Sequence, residues 1–319
     1  MKDRIIWIFY RAHNFVRTVL NVLMRKLKIK HVIIPKYNDR IVLELDEAQE
    51  KIKEIILAGK PALVARFGSN EASCTADTIG IKLGAKRKFS EKTLYRMNNN
   101  AGVFPYGEEM AFRFGEISAE AAKQVDLLGK WKSTMQDYLI RHVCNPEMLL
   151  TSLANLEPYY SDNPWSAALK GKKILVIHPF KETIEAQYKK RELLFENPDM
   201  LPEFELKVMK AVQTIAGEKD ERFKDWEEAL NYMHKEAMKI DFDVAIIGCG
   251  AYGMSLAAKI KQSGKIAIHL GGATQLLFGI KGARWDNQPL SKLYNEHWTR
   301  PLETETPKAA KKVEGACYW

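Results

Sequence analysis

Apolar and polar positions alternate over most of the chain in a pattern that predicts short strands separated by helices. Short apolar runs that end at glycine, proline or histidine alternate with longer segments whose apolar residues recur every three or four positions. The predicted strands lie at residues 61–66, 173–178, 204–209, 244–247 and 266–270. This alternation predicts an α/β fold with a doubly wound, mostly parallel, Rossmann-like sheet. In such a fold the ligand site lies at the carboxyl ends of the strands.

Helices and one further strand are predicted between these runs. The helical spacings cover residues 46–58, 107–123, 131–143, 181–195, 222–239 and 255–261, and a short strand is predicted at 125–128. Asp46 is the expected cap of the first of these helices, and Gly59 is its expected end. Residues 72–110 lack a clear period and are rich in basic residues and asparagine. We therefore expect a long functional loop there.

Residues 4–29 are predicted to form an amphipathic helix. Its apolar residues recur three and four positions apart, and the opposite face carries polar residues, among them Arg4, Arg11, Asn14 and Arg25. The longest uninterrupted apolar run is six residues, far below the roughly 20 that span a bilayer. The pattern leaves two roles open for the helix. It could bind the surface of an anionic membrane, or it could dock on the protein's own body or on a second subunit.

The positive charge of the chain is concentrated at this helix. The formal net charge is +9, and residues 1–30 hold eight Lys/Arg against the single acid Asp3, which gives +7. The remaining residues are close to neutral, so a broad nucleic-acid-binding face is not expected. The basic helix favours the cytoplasmic face of an anionic membrane, to which the protein would bind peripherally.

The length and the cysteines set the expected organisation. The 319 residues are divided into the basic helix, 1–30, and a single α/β domain, 31–319. The four cysteines, Cys74, Cys144, Cys249 and Cys317, are scattered and form no CxxC pair. Neither a disulfide framework nor a structural zinc site is therefore expected, and a reducing compartment is the default.

Four predicted strand ends are followed by glycine or polar residues, more than a simple connecting turn requires. They are residues 66–71, 178–181, 248–253 and 271–275. Because the carboxyl ends of parallel strands meet at one edge of a sheet, we expect these segments to form one site.

The third of these segments, GCGAYG, places Gly248, Gly250 and Gly253 in the spacing G-x-G-x-x-G. Such a turn can present backbone N–H groups to a phosphate, or it can be a tight turn with close packing. The dinucleotide version also needs an acidic residue at the end of the next strand to hold the ribose. Here that strand ends at His269, with no acid, which disfavours a nicotinamide cofactor.

Side chains at the other strand ends offer candidate chemistry. Glu71, beside Ser69 and Asn70, supplies oxygen ligands suited to Mg²⁺ or Mn²⁺. Alternatively, Ser69 caps a helix and Glu71 stabilises its first turn. His178, at a strand end, is better placed for chemistry than the other histidines, although a lone histidine is more often structural. Arg284, near Lys281 and Trp285, could hold a phosphate beside a stacking ring, or these residues could simply cover the core.

A family resemblance follows from the order of several motifs. ARFGSNE at residues 65–71 resembles the strand-end motif RFGDGE of the GT-D fold glycosyltransferases, whose Asp-x-Glu pair binds a divalent cation that holds a nucleotide-sugar diphosphate. NNNAGVFP, HPF, GCGAYG, HLGGATQLLFGIKGARW and the tail HW…EGACYW resemble members of a GT-D-like group often associated with bacterial surface-polysaccharide loci. The resemblance covers roughly residues 40–319.

One departure from the family motif concerns the cation. Ser69 stands at the position of the family's Asp, whereas Glu71 matches the second acid, so the resemblance leaves only Glu71 as a metal ligand. Either Mn²⁺ or Mg²⁺ is held by Glu71 and phosphate, or cationic side chains such as Arg66 and Lys281 replace the cation.

The resulting hypothesis is a glycosyltransferase that moves a sugar from a nucleotide-diphosphate donor, with UDP as the expected nucleotide, to a glycan or lipid-linked acceptor in surface polysaccharide synthesis. Glu71 and His178 are the candidate catalytic residues. The expected donor- or substrate-binding residues are Arg66, Gly68, Ser69, Asn70, Asn98, Asn99, Gly248, Gly250, Tyr252, Gly253, Gly271, Gly272, Gln275, Lys281, Arg284 and Trp285. The alternatives are an NAD(P)-dependent oxidoreductase built on the glycine turn and a non-catalytic nucleotide-binding scaffold. An oligomer is compatible with each of them.

Overall fold

The computed structural model describes residues 1–29, 33–313 and 315–319. The last residue of the predicted segment 1–30, the first two residues that follow it and Glu314 of the EGACYW motif lie outside the described residues. The domain boundary at residue 30 therefore stays a prediction.

Eight strands within the described ranges form one sheet in which every adjacent pair is parallel. They are β1 (Val42–Leu43), β2 (Ala62–Arg66), β3 (Leu127–Lys130), β4 (Leu149–Ser152), β5 (Lys173–His178), β6 (Glu205–Lys210), β7 (Val244–Ile247) and β8 (Ile266–His269). Their order across the sheet is β1-β4-β3-β2-β8-β7-β5-β6. The strands β2 and β8, which are far apart in the sequence, are thus neighbours in the middle of the sheet.

Ten α-helices lie in the part of the chain that the structure describes. They are α1 (Lys2–Lys26), α2 (Leu45–Ala58), α3 (Ser69–Lys82), α4 (Glu91–Asn99), α5 (Glu108–Ala122), α6 (Gln136–His142), α7 (Lys181–Tyr188), α8 (Trp226–Ala237), α9 (Tyr252–Gln262) and α10 (Thr274–Leu277).

Apolar cores cover both faces of the sheet. Along β2, Leu63 and Ala65 belong to one core cluster and Val64 to the other, and all three are fully buried. Strands buried on both sides must be apolar at successive positions, which explains continuous runs such as VAII in β7. The predicted doubly wound, parallel, Rossmann-like fold is confirmed.

The prediction of a long loop at residues 72–110 is wrong, because the helices α3 and α4 occupy most of this segment. The buried face of α3 consists of small and polar residues, including Thr75, Asp77 and Gly80, so it shows no period of large apolar residues. The cap of α2 also differs from the prediction: Glu44, and not Asp46, forms a capping box with Glu47. The strands β1, with two residues, and β4, with four, were not predicted.

The helix α1 docks on the body of the protein through Trp7. The indole Nε1 donates to the carbonyl of Ala76 in α3 at 2.8 Å, and the ring fills the space above Gly80. A Cβ at Gly80 would lie 2.5 Å from the Trp7 ring, so only glycine allows this contact.

Polar residues continue the docking face of α1. Asn14 Nδ2 donates to Asp137 Oδ1 at 2.9 Å, and Arg17 donates to Asp137 Oδ2 at 3.0 Å; all three side chains are buried. The polar face predicted from the sequence is therefore the face that packs on the protein. This arrangement reverses the usual one, in which a surface helix buries its apolar face.

The apolar face of α1 consequently points outward. Phe9 and Phe15 are 66% and 70% exposed, and the other large exposed residues on this face are Ile5, Ile8, Val16, Val19, Leu20 and Leu23. No helix among the described residues has the length and apolarity needed to cross a bilayer. An exposed apolar stripe of this extent is typical of a surface that binds a partner or a membrane.

The direction of α1 follows from its contacts. Trp7 meets the later turns of α3, a helix that begins at the carboxyl end of β2, whereas Arg17 meets the first turn of α6, which follows the carboxyl end of β3. The helix therefore runs toward the carboxyl edge of the sheet. Its basic last turn, Arg25 and Lys26, lies on that side.

Substitution of Asp137 by alanine is expected to destabilise the protein by about 3–5 kcal/mol, because it leaves Arg17 buried without its partner. Urea unfolding measures the change in free energy. The matched control is Glu120→Ala, which breaks the exposed ion pair with Lys123 and is expected to change stability by no more than about 1 kcal/mol. Equal effects of the two substitutions would contradict the docking role of Asp137.

Candidate functional site

A pocket lies at the carboxyl edge of the sheet, where the four predicted strand ends meet. The predicted residues that line it are Arg66, Gly68, Ser69, Asn70, Glu71, His178, Gly248, Gly250, Tyr252, Gly271, Gly272, Gln275 and Arg284. Its volume is about 180 Å³, below the roughly 300–1,000 Å³ of pockets that enclose whole ligands. A ligand larger than this volume must extend through the mouth or displace part of the wall.

Two of the three glycines in the turn after β7 make room for imidazole rings. A Cβ at Gly248 would lie 2.6 Å from His178 Cδ2, and a Cβ at Gly253 would lie 2.0 Å from His269 Cε1. The third glycine, Gly250, has φ +57°, a conformation that favours glycine. Close packing therefore explains much of the G-x-G-x-x-G pattern, in addition to any contact with a phosphate.

His178 presents a hydrogen-bond donor to the pocket. Its Nδ1 accepts the backbone N–H of Phe180 at 3.0 Å, so the proton of the neutral ring is on Nε2. Burial lowers the pKa of His178 to about 3, which keeps the ring neutral at physiological pH. In this tautomer Nε2–H can donate to a ligand oxygen but cannot accept a proton.

His269 has the opposite tautomer. Its Nδ1 lies 3.2 Å from the carbonyl oxygen of Ile247, which can only accept, so Nδ1 carries the proton and Nε2 is an acceptor. Burial, together with the nearby charge of Arg66, lowers the pKa of His269 to about 3. The ring lines the pocket, although the sequence did not single it out as a binding residue.

The two buried histidines are expected to make stability fall in acid. In the unfolded chain they bind protons below about pH 6.5, whereas in the folded protein they stay neutral to about pH 3. The unfolded state therefore binds more protons between these values, and each histidine should lower stability by about 1–2 kcal/mol from pH 7 to pH 5. Urea unfolding of His269→Gln should show a smaller loss over this range. The exposed control His13→Gln should keep the wild-type slope, and equal slopes for both variants would contradict the assignment.

Arg66 brings positive charge to the centre of the pocket edge. It is the last residue of β2, and its guanidinium lies over the Trp131 ring at 5.2 Å from the centroid. Its Nη1 would be 3.4 Å from a Cβ at Gly271, so the glycine leaves space beside the guanidinium. Among the described residues, no carboxylate lies within 4 Å of Arg66.

Glu71 lies in the first turn of α3 with its carboxylate folded back over Gly68. A Cβ at Gly68 would be 1.9 Å from Glu71 Oε2, so glycine is required there. The neighbouring Ser69 and Asn70 add only neutral oxygens. No group of three or more His, Cys, Asp or Glu in the described ranges is placed to hold a metal ion. These side chains do not build a site for a resident divalent cation, which binds through more carboxylates or through substrate phosphates.

The helices that follow the strand ends differ in how their N-termini are satisfied. At α7 the carboxylate of Glu305 accepts the backbone N–H of Glu182 at 2.8 Å and also contacts Thr183. The helices α3 and α9 begin at the pocket with Gly68 and Ala251 as N-cap residues, neither of which has a capping side chain. In the first turn of α9 the backbone N–H of Gly253 donates to the carbonyl of Gly250 at 3.1 Å. The N–H of Tyr252 and the start of α3 are therefore the groups offered to an anion.

Gln275 places an unsatisfied acceptor in the wall of the pocket. Its Nε2 donates to the carbonyl oxygens of Lys281 and Tyr318, both at 3.1 Å. The side chain is almost fully buried, and Oε1 has no hydrogen-bond partner. A buried acceptor without a donor is costly.

Two predicted asparagines lie outside the pocket lining. Asn98 Nδ2 donates to the carbonyl of Val103, and Asn99 Nδ2 donates to the carbonyl of Lys312, each at 3.0 Å. Both side chains therefore hold the chain in place, and the next residue, Asn100, lines the pocket instead.

Lys281, Trp285 and Gly253 also lie outside the lining. The Lys281 ammonium lies over the Tyr294 ring, and the Trp285 ring packs 6.1 Å from the Tyr318 ring. Gly253 contacts the His269 ring from behind. The structure therefore keeps Arg66 and Arg284 at the pocket and separates Lys281 from it.

Several lining residues were not predicted, namely Trp131, His269, Thr214, Val313, Tyr318 and Trp319. The last two belong to the aromatic C-terminal segment, which crosses the pocket because Gln275 and Ala283 bond to its backbone. Its unusual content of aromatic residues was the one signal in the sequence.

The sheet and its pocket define a doubly wound α/β protein with a polar site at the carboxyl edge. The chain belongs to the GT-D-like family, because the family model described as a GT-D fold-like domain matches residues 43–277. This membership supports glycosyltransferase activity.

The other comparisons are with solved structures and with curated proteins. Two solved structures of a domain of unknown function, DUF1792, are similar to 84% of this chain over 93% of their own, at 13% identity, with TM-scores of 0.46 and 0.43. One of them is described as having a distinct glycosyltransferase fold. No curated protein matches the chain.

Proposed function

We propose that this protein transfers a sugar from a nucleotide-diphosphate donor, linked to UDP, to a glycan or lipid-linked acceptor in the synthesis of a bacterial surface polysaccharide. The observation that carries the proposal is the convergence of four strand ends on one pocket that holds Arg66 and the start of α9. A cationic side chain beside a helix N-terminus is suited to a diphosphate.

The donor contacts follow from the chemistry of the wall. The first turn of α9, the Arg66 guanidinium and His178 Nε2–H are donors for phosphate oxygens. His269 Nε2 is an acceptor for a hydroxyl or N–H group of the nucleotide or sugar. A nucleotide sugar presents both kinds of group.

Aromatic residues supply the stacking surface for the base or sugar. Trp131, Tyr318 and Trp319 line the pocket, and Tyr318 occupies the space over Gly272. Because the cavity is small, binding of a whole donor would move the Tyr318–Trp319 segment outward. Aromatic rings bind bases and sugars through their apolar faces, so they can hold such a ligand without specific hydrogen bonds.

In the reaction, an acceptor hydroxyl would attack the anomeric carbon while the bond from that carbon to the diphosphate oxygen breaks. Arg66 and the N-terminus of α9 would stabilise the negative charge that develops on the diphosphate. Glu71 is the only carboxylate among the described lining residues, so it is the candidate general base for the hydroxyl proton. His178 is better suited to bind an oxygen than to accept a proton, because its Nδ1 is already hydrogen-bonded.

The outward apolar face of α1 supports a peripheral position at the cytoplasmic face of the membrane. Large apolar side chains would enter the interface, and exposed basic residues such as Lys2, Arg4 and Lys28 would meet anionic lipid headgroups. Since α1 runs toward the carboxyl edge of the sheet, the pocket would lie near the surface that carries a lipid-linked acceptor.

A ligand panel separates this function from a dinucleotide-binding one. The thermal midpoint of the full chain should rise with UDP and UDP-sugars, since binding to the folded state alone stabilises it. NADH should cause no comparable rise, because the acid-free end of β8 at His269 offers no carboxylate to the ribose. A rise with NADH but not with UDP would favour the oxidoreductase.

A further inference from the structure

Among the described residues, the pocket combines a cationic side chain that has no carboxylate within 4 Å with a single lining carboxylate side chain, Glu71. Arg66 is half-buried, lies over the Trp131 ring and has no carboxylate within 4 Å in the described part of the chain. The carboxyl whose pKa it lowers by charge is that of Glu157, which burial nevertheless keeps at a pKa of about 7. A guanidinium in this position retains its charge and its donors for a ligand.

The carboxylate at the same strand end is poorly placed for a cation. Glu71 folds back over Gly68, and the residues next to it, Ser69 and Asn70, are neutral. Mg²⁺ and Mn²⁺ bound by protein alone need several oxygen ligands in a defined geometry. The positive charge that this pocket itself supplies is therefore that of arginine.

The neighbourhood of Arg66 leaves room for a phosphate. Gly271 lies just after the end of the adjacent strand β8 and has no side chain, so the space beside the Arg66 guanidinium stays open. Gly248 and Gly250 line the same pocket at the start of α9. A phosphate between them would meet a guanidinium on one side and a helix N-terminus on the other.

We infer that Arg66 neutralises the diphosphate of the ligand directly, so that binding of a nucleoside diphosphate does not depend on a divalent cation. This inference rests on the proposed function, because it concerns the donor of that same site. The Arg66 guanidinium lies over the Trp131 ring, and its planar fork can bind phosphate oxygens in pairs.

The test is isothermal titration of the full chain with UDP, once in EDTA and once with Mn²⁺. The dissociation constant should agree within about threefold between the two conditions. Arg66→Gln should weaken binding by about 10- to 100-fold, as expected for loss of charge-assisted hydrogen bonds. Arg66→Lys should fall between these values, because it keeps the charge but loses the fork.

The matched control is Arg87→Gln, which removes an exposed arginine that does not line the pocket. It should bind UDP like the wild type. The thermal midpoint of every variant without ligand shows whether it is folded, and Arg66→Lys serves as the readout if Arg66→Gln is not.

Ser69→Asp tests the same site by adding a second carboxylate next to the proposed phosphate position. In EDTA it should weaken UDP binding by about tenfold through repulsion, and Mn²⁺ should restore the affinity. Unchanged affinity in both conditions would show that the phosphates lie elsewhere and would overturn the inference.

Two failures can be told apart. Wild-type protein that binds UDP with Mn²⁺ but loses more than about tenfold of its affinity in EDTA would overturn the inference and leave the proposed function intact. Wild-type protein that binds no nucleoside diphosphate in either condition would overturn both.

Discussion

Replacement of Glu71 by glutamine is expected to lower the rate of sugar transfer by about 10²- to 10⁴-fold, the usual contribution of a general base. The affinity for UDP should stay within about threefold, because the amide keeps the size of the side chain and Arg66 holds the diphosphate. The rate is measured as release of UDP from a UDP-sugar in the presence of a membrane lipid extract. Affinity is measured by titration of the same protein.

The control for this substitution is Glu109→Gln. Glu109, like Glu71, is an acidic residue in the first turn of a helix, but it is exposed and lies outside the pocket. Glu109→Gln should reproduce any effect of removing a negative charge from the first turn of a helix, but it should not lower the rate of sugar transfer. An unchanged transfer rate in Glu71→Gln would contradict the role as base, and unchanged polysaccharide output in cells would favour the scaffold. A loss of UDP affinity above tenfold would assign Glu71 to binding instead.

The second large effect concerns the membrane. Simultaneous replacement of Phe9, Phe15 and Leu23 by glutamine should lower binding to anionic vesicles by about 1,000-fold or more, since each large apolar side chain contributes about 1.5–3 kcal/mol when fully buried. Flotation of the full chain with phosphatidylglycerol-containing vesicles measures the binding. The fold should be retained, because these side chains point away from the body.

The matched control replaces three exposed leucines elsewhere, Leu57, Leu193 and Leu302, by glutamine. It should float like the wild type. If the wild type does not float but sediments as a dimer that the α1 substitutions dissociate, the apolar face is an interface between two copies and the membrane role is contradicted.

The parallel sheet could be predicted because its strands are buried on both faces and therefore appear as continuous apolar runs. Residues 173–178 and 244–247 were located to the residue. The helix α3 could not be predicted in this way, because it buries Thr75, Asp77 and Gly80 against partners far away in the sequence. A buried face of small and polar residues has no apolar period to detect.

The helix α1 shows a different limit of sequence patterns. Its amphipathic character was predicted, but the side that packs on the body was not. Asn14 and Arg17 face inward because Asp137, more than a hundred residues away, receives them. A hydrophobic pattern indicates which residues share a face of the helix, but it does not indicate which part of the protein packs against that face.

The site could be predicted as far as it depends on strand ends. Arg66, Glu71, His178 and Gly248 follow or end strands, and parallel pairing brings them together. Trp131 follows the carboxyl end of β3, a strand end that was not included with the other four. Tyr318 reaches the pocket from the C-terminal segment, whose path is fixed by tertiary contacts. Lys281 and Trp285 were expected at the site through their nearness to Arg284 in sequence, which does not fix where side chains point.

Titration of the full-length protein with UDP and with a set of UDP-sugars tests the central claim most directly. The account predicts saturable binding at one site, competition between UDP and the UDP-sugar, and loss of about 10- to 100-fold in affinity when Arg66 is replaced by glutamine. Absence of binding for every nucleotide and nucleotide sugar, with and without Mn²⁺, would contradict it.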